Sequence, residues 1–481
     1  MPSVAAASEP DAASLATASR LAMIAAYAAL GAVLVWSRLY ELGHSFWTDE
    51  ILMIEGYVRA GPRFIFTGSA INHELMAFLS WAASSVVGES EVGLRLFSVV
   101  PFLAGVVLVT AWLHVRLGAL SGILFLFLAT VSPLLLDITR QARGYGLAFL
   151  AMCVVVVAAL EALRTGRAWL VFAVCVAGVL GAWTLPQVAL AFLPAAAVLL
   201  TDRRVRMAAA AGIALSLAAI VGFYAPHSGA VQGAAGIPDG VQIGFPWVVT
   251  APIDQVLLPA LIWIDGTALE AGPIWLPAVA LAAIVAAASP LLREWRSALV
   301  LCAGIVVTVT ALWLRDAYVI PRYLSFLLVP AFVVVSTGAA SILGRLRTRP
   351  AMLRTVVCVV VLGVLAFRFA VVAPDVVALP REANRDAAGV IREGLPSTPV
   401  LAYMRNPQNL TFYLGRPVEE LGPGAAAMRV CAQLVPVYYV FQDFALKDET
   451  VPCLNRPGVV LHRFRQYARG TMSVWWVPPQ V

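Results

Sequence analysis

Lysine is almost missing from this chain: Lys447 is the only one among 481 residues, and the other basic side chains are arginine. Charge of either sign is scarce too, at 12% of residues, against about 25% in an average soluble domain. So little charge excludes an ordinary water-soluble surface. The six cysteines include no CxxC pair and no Cys/His cluster, which excludes a zinc site of the usual spacing. No Walker loop is present, and no GxGxxG opens a βαβ unit, so a nucleotide donor is not expected. What remains is apolar: 61% of residues are hydrophobic and the mean hydropathy is +0.86. The formal charge of +6 is not a nucleic-acid signal in such a chain, because arginine concentrates in the cytoplasmic loops of membrane proteins. The expected class is a polytopic α-helical membrane protein surrounded by membrane lipid, with no nucleic-acid partner.

Apolar runs long enough to cross a hydrocarbon core of about 30 Å fall near 21–39, 94–114, 118–136, 145–163, 168–184, 186–201, 207–225, 273–291, 297–314, 321–343 and 354–373. That makes about eleven spans. The first, preceded by Arg20, would read as a cleaved signal peptide if it stood alone; the runs behind it make it the first of a series. With residues 1–20 cytoplasmic, Arg116, Arg164, Arg167, Arg203, Arg204, Arg206, Arg293, Arg296, Arg345, Arg347, Arg349 and Arg354 all fall on the inside. This is the arginine bias that the positive-inside rule describes, and the outside segments 40–93, 137–145, 226–272 and 315–320 carry most of the acids that precede residue 374. Two apolar stretches read instead as amphipathic interfacial helices. One is 73–87, with Leu75, Phe78, Leu79, Ala82 and Val86 on one face; the other is 247–264.

Polar composition returns in residues 374–481. "REANRDAAGVIREGL" and "PQNLTFYLG" read as helices, and "PVLAYM", "VPVYYVFQ" and "GVVLHRF" as strands. This predicts a small α/β domain outside the membrane, periplasmic or extracellular in a bacterium. Cys431 and Cys453 both lie in it, and an oxidising compartment would permit a disulfide between them.

Ionisable groups gather in three of the outside loops. The first supplies Asp49, Glu50 and His73; the second, "SPLLLDITRQARGYGL", supplies Asp137, Arg140, Arg143 and Tyr145; the third, "RDAYVIPRYLSF", supplies Arg315, Asp316, Tyr318, Arg322 and Tyr323. Each has a plain explanation as a helix start, a headgroup anchor or a snorkelling side chain. Ionisable groups at an apolar boundary are nonetheless costly and are usually paired or functional. A carboxylate serves as general base towards a hydroxyl, and guanidinium forks bind phosphate. Together they suit transfer from a lipid phosphate to an alcohol. A hard cation between Asp49 and Asp137 is the alternative use of those two acids; no metal or other cofactor is expected.

The stretches "FWTDE", "NHELMAFLSW", "GESEVGLRL", "SPLLLDITRQARGYGL" and "PRYLSFLLVPAF", in that order, resemble glycosyltransferase family 39. This is the dolichyl-phosphate-mannose protein mannosyltransferase-like group of the GT-C superfamily. "FYLG" at 412–415 is also family-like. The resemblance implies a GT-C-like membrane domain over 21–373. It also implies an inverting transfer of a sugar from a polyprenyl-phosphate donor to a glycan, lipid or protein acceptor of the cell envelope, at the outer face of the inner membrane. It makes Asp49 the candidate base, with Glu50 and Asp137 as companion acids. His73, Arg140, Arg143, Tyr145, Arg322 and Tyr323 become candidates for holding substrate. Two departures stand out. Asn72-His73-Glu74-Leu75 replaces His-Pro-Pro-Leu, and Gln141 stands where many members carry Glu. The rival readings are a transporter or flippase of lipid-linked sugars, and a non-catalytic anchor for residues 374–481.

Overall fold

The computed structural model describes residues 12–67, 73–225, 241–242, 284–314, 318–319, 321–345, 351–395, 397–404, 406–422, 425–442, 451–466 and 471–479. The amphipathic stretch expected at 247–264, nearly all of the 226–272 loop and most of the 273–291 span lie outside them.

The first helix, α1 (Ala12–Leu39), is followed by three short helical pieces: α2 (Thr48–Met53), a π-helical turn (Ile54–Val58) and α3 (Pro62–Thr67). The expected amphipathic helix is α4 (Glu74–Val87), which starts directly after His73. At about 1.5 Å per residue it spans roughly 21 Å, too short to cross a bilayer. Then come α5 (Glu91–Leu117), α6 (Ala119–Val131), α7 (Pro133–Thr139), α8 (Tyr145–Thr165), α9 (Ala168–Thr184), α10 (Val188–Val198) and α11 (Arg206–Tyr224). The membrane part closes with α12 (Trp295–Leu314), α13 (Leu328–Arg345) and α14 (Ala351–Ala378).

The run expected as one span at 118–136 is bent: α6 and α7 meet at 64°. Pro133 has no N–H for the α6 ladder, and the Ser132 hydroxyl caps α7 by accepting from Leu135 N at 3.3 Å. Among the described residues six helices are long and apolar enough to cross a membrane, or seven if the bent pair counts as one span. Helices α9 and α10, joined at Pro186 as the sequence suggests, have only 17 and 11 residues. The protein is a multi-pass membrane protein all the same.

The bundle has two chemically different ends. At one, Glu161 pairs with Arg116 (2.7 Å) and Arg164 (2.8 Å), and Arg296 donates to the Thr201 carbonyl at 3.2 Å. These are segments the arginine alternation assigns to a common side. The first two of the outside loops and the "PRY" step of the third, with Arg322, meet at the other end.

Beyond α14 the chain forms α15 (Asn384–Glu393), α16 (Pro407–Leu414) and α17 (Ala425–Cys431) on a five-stranded sheet. After two short paired strands β1 (Val241–Gln242) and β2 (Tyr318–Val319), its strands are β3 (Val400–Tyr403), β4 (Glu419–Glu420), β5 (Val437–Gln442), β6 (Val460–Arg465) and β7 (Thr471–Val477), in the order β4-β3-β5-β7-β6. Strand β3 is parallel to β4 and β5, and β7 is antiparallel to β5 and β6. Side chains alternate across a strand: Val400, Ala402, Tyr438 and Val440 pack on one face, and Leu401, Tyr403, Val437 and Tyr439 on the other. Both faces are buried, which explains the continuous apolar runs of β3 and β5. The three expected strands and two expected helices are present; β4, α17 and the inner strand β7 are additions.

Cys431 and Cys453 are joined as a disulfide, 22 residues apart in sequence. By the chain-entropy relation such a loop stabilises its domain by about 3 kcal/mol. The protein unfolded without reductant should therefore leave these two thiols unlabelled by a maleimide, and reduction should add exactly that pair to the labelled set. Labelling of both before reduction would remove the bridge from the account.

Candidate functional site

The polar end is organised by residues 40–50. Helix α2 begins at Thr48, and Asp49 and Glu50 lie in its first turn, where negative charge suits the helix dipole. Neighbours on a helix do not share a face, and the two acids accordingly have different surroundings.

Glu50 is fully buried. Its carboxylate accepts from Arg95 Nε at 2.9 Å and Nη2 at 2.7 Å, from the Trp47 backbone N–H at 3.1 Å and from the Ala142 backbone N–H at 2.5 Å. The remaining reach of Arg95 goes to the carbonyls of Leu42 (2.8 Å), His44 (2.7 Å) and Ser45 (3.1 Å). The oxygens of Glu50, expected as a companion acid of Asp49, are committed to fixing backbone and Arg95. Arg95 is the arginine of the "GESEVGLRL" step, and sequence reasoning gave it no role.

Asp49 faces the other way. Its Oδ2 lies 2.6 Å from Arg143 Nη1 and 3.2 Å from Arg322 Nη2. The aspartate side chain keeps 27% of its exposure, whereas Arg143 keeps 8%, so the carboxylate is the more open partner of the pair. Both guanidiniums lie against the Trp47 ring, 5.9 and 5.3 Å from its centre. A third, Arg381, lies 4.3 Å from it. Arg381 is paired with Asp137, Nη1 standing 2.7 Å from each carboxylate oxygen. Asp137 thus serves as counter-ion to an arginine that sequence reasoning missed, and it also accepts from Gln141 Nε2 at 3.3 Å. Among these five ionic groups, three cations face two carboxylates. Among the described residues no group of three or more His, Cys, Asp or Glu side chains could hold a metal ion.

The second loop owes its shape to close packing. A Cβ at Gly144 would lie 2.3 Å from Thr184 Cγ2, and one at Gly146 would lie 1.9 Å from the Ser98 carbonyl oxygen. The two glycines of "RGYGL" let α8 meet α5 and α9 closely enough to bring Arg143 to Asp49. Tyr145 is fully buried, 5.2 Å from the Arg143 guanidinium. His73 packs edge-on against it with ring centres 5.0 Å apart. Burial, and then the charge of Arg143, hold the His73 imidazole well below its ordinary pKa, so it is neutral. His73 and Tyr145 back the arginines from behind. Tyr323 lies beside Arg322, its ring centre 5.5 Å from the guanidinium.

Arg140 does not join this group. It donates to the carbonyls of Ser37 (2.8 Å), Tyr40 (2.8 Å), Glu41 (3.2 Å) and Val377 (3.3 Å). It closes the end of α1 and reaches α14, satisfying carbonyls that a helix C-terminus leaves open. Of the expected cluster, the structure brings together Asp49, Arg143, Tyr145, His73, Arg322 and Tyr323, places Asp137 at its edge, and turns Glu50 and Arg140 away.

No protein-family model matches the chain, and comparison with curated proteins finds no match. Among solved structures it is similar to ArnT from Cupriavidus metallidurans. The form bound to undecaprenyl phosphate aligns with a TM-score of 0.51 and 15% identity, over 96% of this chain and 98% of that one. The apo form aligns with a TM-score of 0.52 and 14% identity over the same shares. The chain has the GT-C fold. The likeness runs from the membrane helices through the α/β domain, so the GT-C fold here includes both parts.

Breaking a buried ion pair on one side costs about 3–5 kcal/mol. Arg95→Ala should therefore destabilise the protein by about that much in a detergent–SDS unfolding titration. Arg59→Ala, which removes a pair with Glu89 that is 48% and 31% exposed, should cost at most about 1 kcal/mol. Equal effects would contradict the organising role of Glu50 and Arg95.

Proposed function

We propose that this protein is a bacterial inner-membrane glycosyltransferase. It moves a sugar from a polyprenyl-phosphate donor to a hydroxyl of a cell-envelope glycan, lipid or protein, with inversion, at the outer face. The observation that carries this reading is Asp49 held between Arg143 and Arg322 at 2.6 and 3.2 Å, where three separate segments meet. The fold supports it, and the ArnT structure at TM-score 0.51 is described as bound to undecaprenyl phosphate. That lipid phosphate is the donor chemistry proposed here.

In this reading the donor phosphate takes over Arg143 and Arg322, exchanging one anionic partner for another. Asp49 then turns its carboxylate to the acceptor. The acceptor oxygen attacks the anomeric carbon from the face opposite the phosphate and gives its proton to Asp49. The bond between that carbon and the phosphate oxygen breaks, and its electron pair stays on the phosphate. The guanidiniums stabilise that leaving anion, so no strong acid is needed. Asp137 and Arg381 balance charge at the margin, and no step requires a metal. Residues 374–481 stand on the outer, periplasmic or extracellular side, where their disulfide is kept oxidised. The transporter reading is less well supported, because ionisable groups gather at one end of the bundle, whereas transporters build sites near the midplane.

A positioned base contributes about 10²–10⁴ in rate, so Asp49→Asn should lower sugar transfer by that factor without weakening donor binding, since it removes the anion that the phosphate displaces. Arg143→Ala and Arg322→Ala should each weaken donor binding by about 1.5–3 kcal/mol. Binding and transfer are to be measured separately for each variant. Wild-type transfer by Asp49→Asn, or undiminished donor binding by both arginine variants, would overturn the division of roles.

A further inference from the structure

The residue before the proposed base has an unusually complete set of partners. The Thr48 side-chain hydroxyl donates to the Glu382 carboxylate, 3.0 Å from Oε1 and 3.3 Å from Oε2. It accepts from Asn406 Nδ2 at 2.8 Å and from Asn409 Nδ2 at 2.7 Å. One donated and two accepted bonds use the whole capacity of a hydroxyl. Glu382 is itself fixed by Asn384 Nδ2 at 3.0 Å and Asn409 Nδ2 at 2.7 Å. Glu382, Asn384 and Asn409 are almost wholly buried. None of these partners belongs to the membrane bundle: all lie beyond α14, on α15, on α16 or next to them.

The same region grips the two residues upstream. The Ser45 hydroxyl bonds the Glu382 carbonyl. The Phe46 backbone N–H donates to the Tyr413 hydroxyl at 2.5 Å, and that hydroxyl donates to Glu91 at 3.1 Å. Residues 45–48 are thus clamped from outside the membrane part, directly before Asp49.

We infer that Thr48 is a positioning residue for the transfer reaction, and that the Glu382–Asn406–Asn409 cage of the C-terminal domain fixes the Asp49 carboxylate through it. The inference rests on the reading of Asp49 as the base. The domain is then part of the catalytic unit and not a passenger. Displacing a catalytic group by about 1 Å can cost about 10²-fold in rate, so loss of the cage lowers turnover while the donor's arginines remain in place.

The test uses the full-length protein in detergent, with Thr48→Val, Thr48→Ser, Asn409→Ala and Asp49→Asn compared at matched folded fraction. Valine keeps the shape of threonine without the hydroxyl, and serine keeps the hydroxyl. One readout is hydrogen exchange of backbone amides 45–50, which needs no substrate. The others are undecaprenyl phosphate binding and release of undecaprenyl phosphate from its mannosyl and arabinofuranosyl derivatives. Thr48→Val and Asn409→Ala should exchange faster across 45–50 and turn over roughly ten- to a hundred-fold more slowly. Their affinity for undecaprenyl phosphate should stay within about two-fold, and Thr48→Ser should match wild type. Unchanged exchange in both Thr48→Val and Asn409→Ala, or Thr48→Ser as impaired as Thr48→Val, overturns the inference. If Thr48→Val does not fold, Asn409→Ala decides alone. Failure of the underlying reading is seen separately, as full turnover by Asp49→Asn.

Discussion

One buried carboxylate ties the polar end of the molecule together. Glu50 joins α2, where it sits, to Arg95 on α5 and to the backbone of Ala142 in the second loop. Asp49 and Arg143 are the chain neighbours of Glu50 and Ala142. The hydrogen bond between the inner pair therefore sets the distance between the outer pair, 2.6 Å. A charge in so dry a place is tolerable only because each of its oxygens is bonded. Such a centre supplies little net stability but strongly specifies one arrangement, and everything proposed for the site assumes that arrangement.

The near absence of lysine acquires a structural meaning here. Arg95 and Arg140 each bond three or more groups around residues 37–50. Arg38 does similar work at the end of α6, donating to Ala129 O at 3.0 Å and Thr130 O at 3.2 Å. A planar fork with five donors can satisfy several carbonyls at once; an ammonium is a point charge on a flexible stem. Six arginines of this end thus fall into two sets: Arg38, Arg95 and Arg140 hold backbone, and the guanidiniums of Arg143, Arg322 and Arg381 gather around Trp47.

Much of this was legible in the sequence. Hydropathy gave the class, arginine alternation gave the two ends, and three outside acid-and-arginine loops gave the cluster. The division of labour inside each loop was not legible. Asp49 and Glu50 are adjacent, and only the start of α2 at Thr48 decides which of them turns inward. Arg140 and Arg143 are three residues apart, but the chain between them forms the turn after α7 and not a helix, so they point to different places. The roles of Arg95, Arg381 and Thr48 depend on partners 45 or more residues away. Pro133 marked the break between α6 and α7, but the run around it was apolar enough to read as one span. Strand β7 shows an alternating pattern in Met472, Val474 and Trp476, yet its place between β5 and β6 is a matter of long-range pairing.

The central claim is that the guanidiniums beside Asp49 hold a lipid-linked sugar phosphate. Mass spectrometry of the lipids that stay with the protein through purification addresses it most directly, with wild type compared to a variant lacking both Arg143 and Arg322. The account predicts a polyprenyl-phosphate sugar bound to the wild-type protein and lost from the double variant. A wild-type protein carrying only bulk membrane lipids, or a double variant retaining the sugar lipid in equal amount, would contradict it.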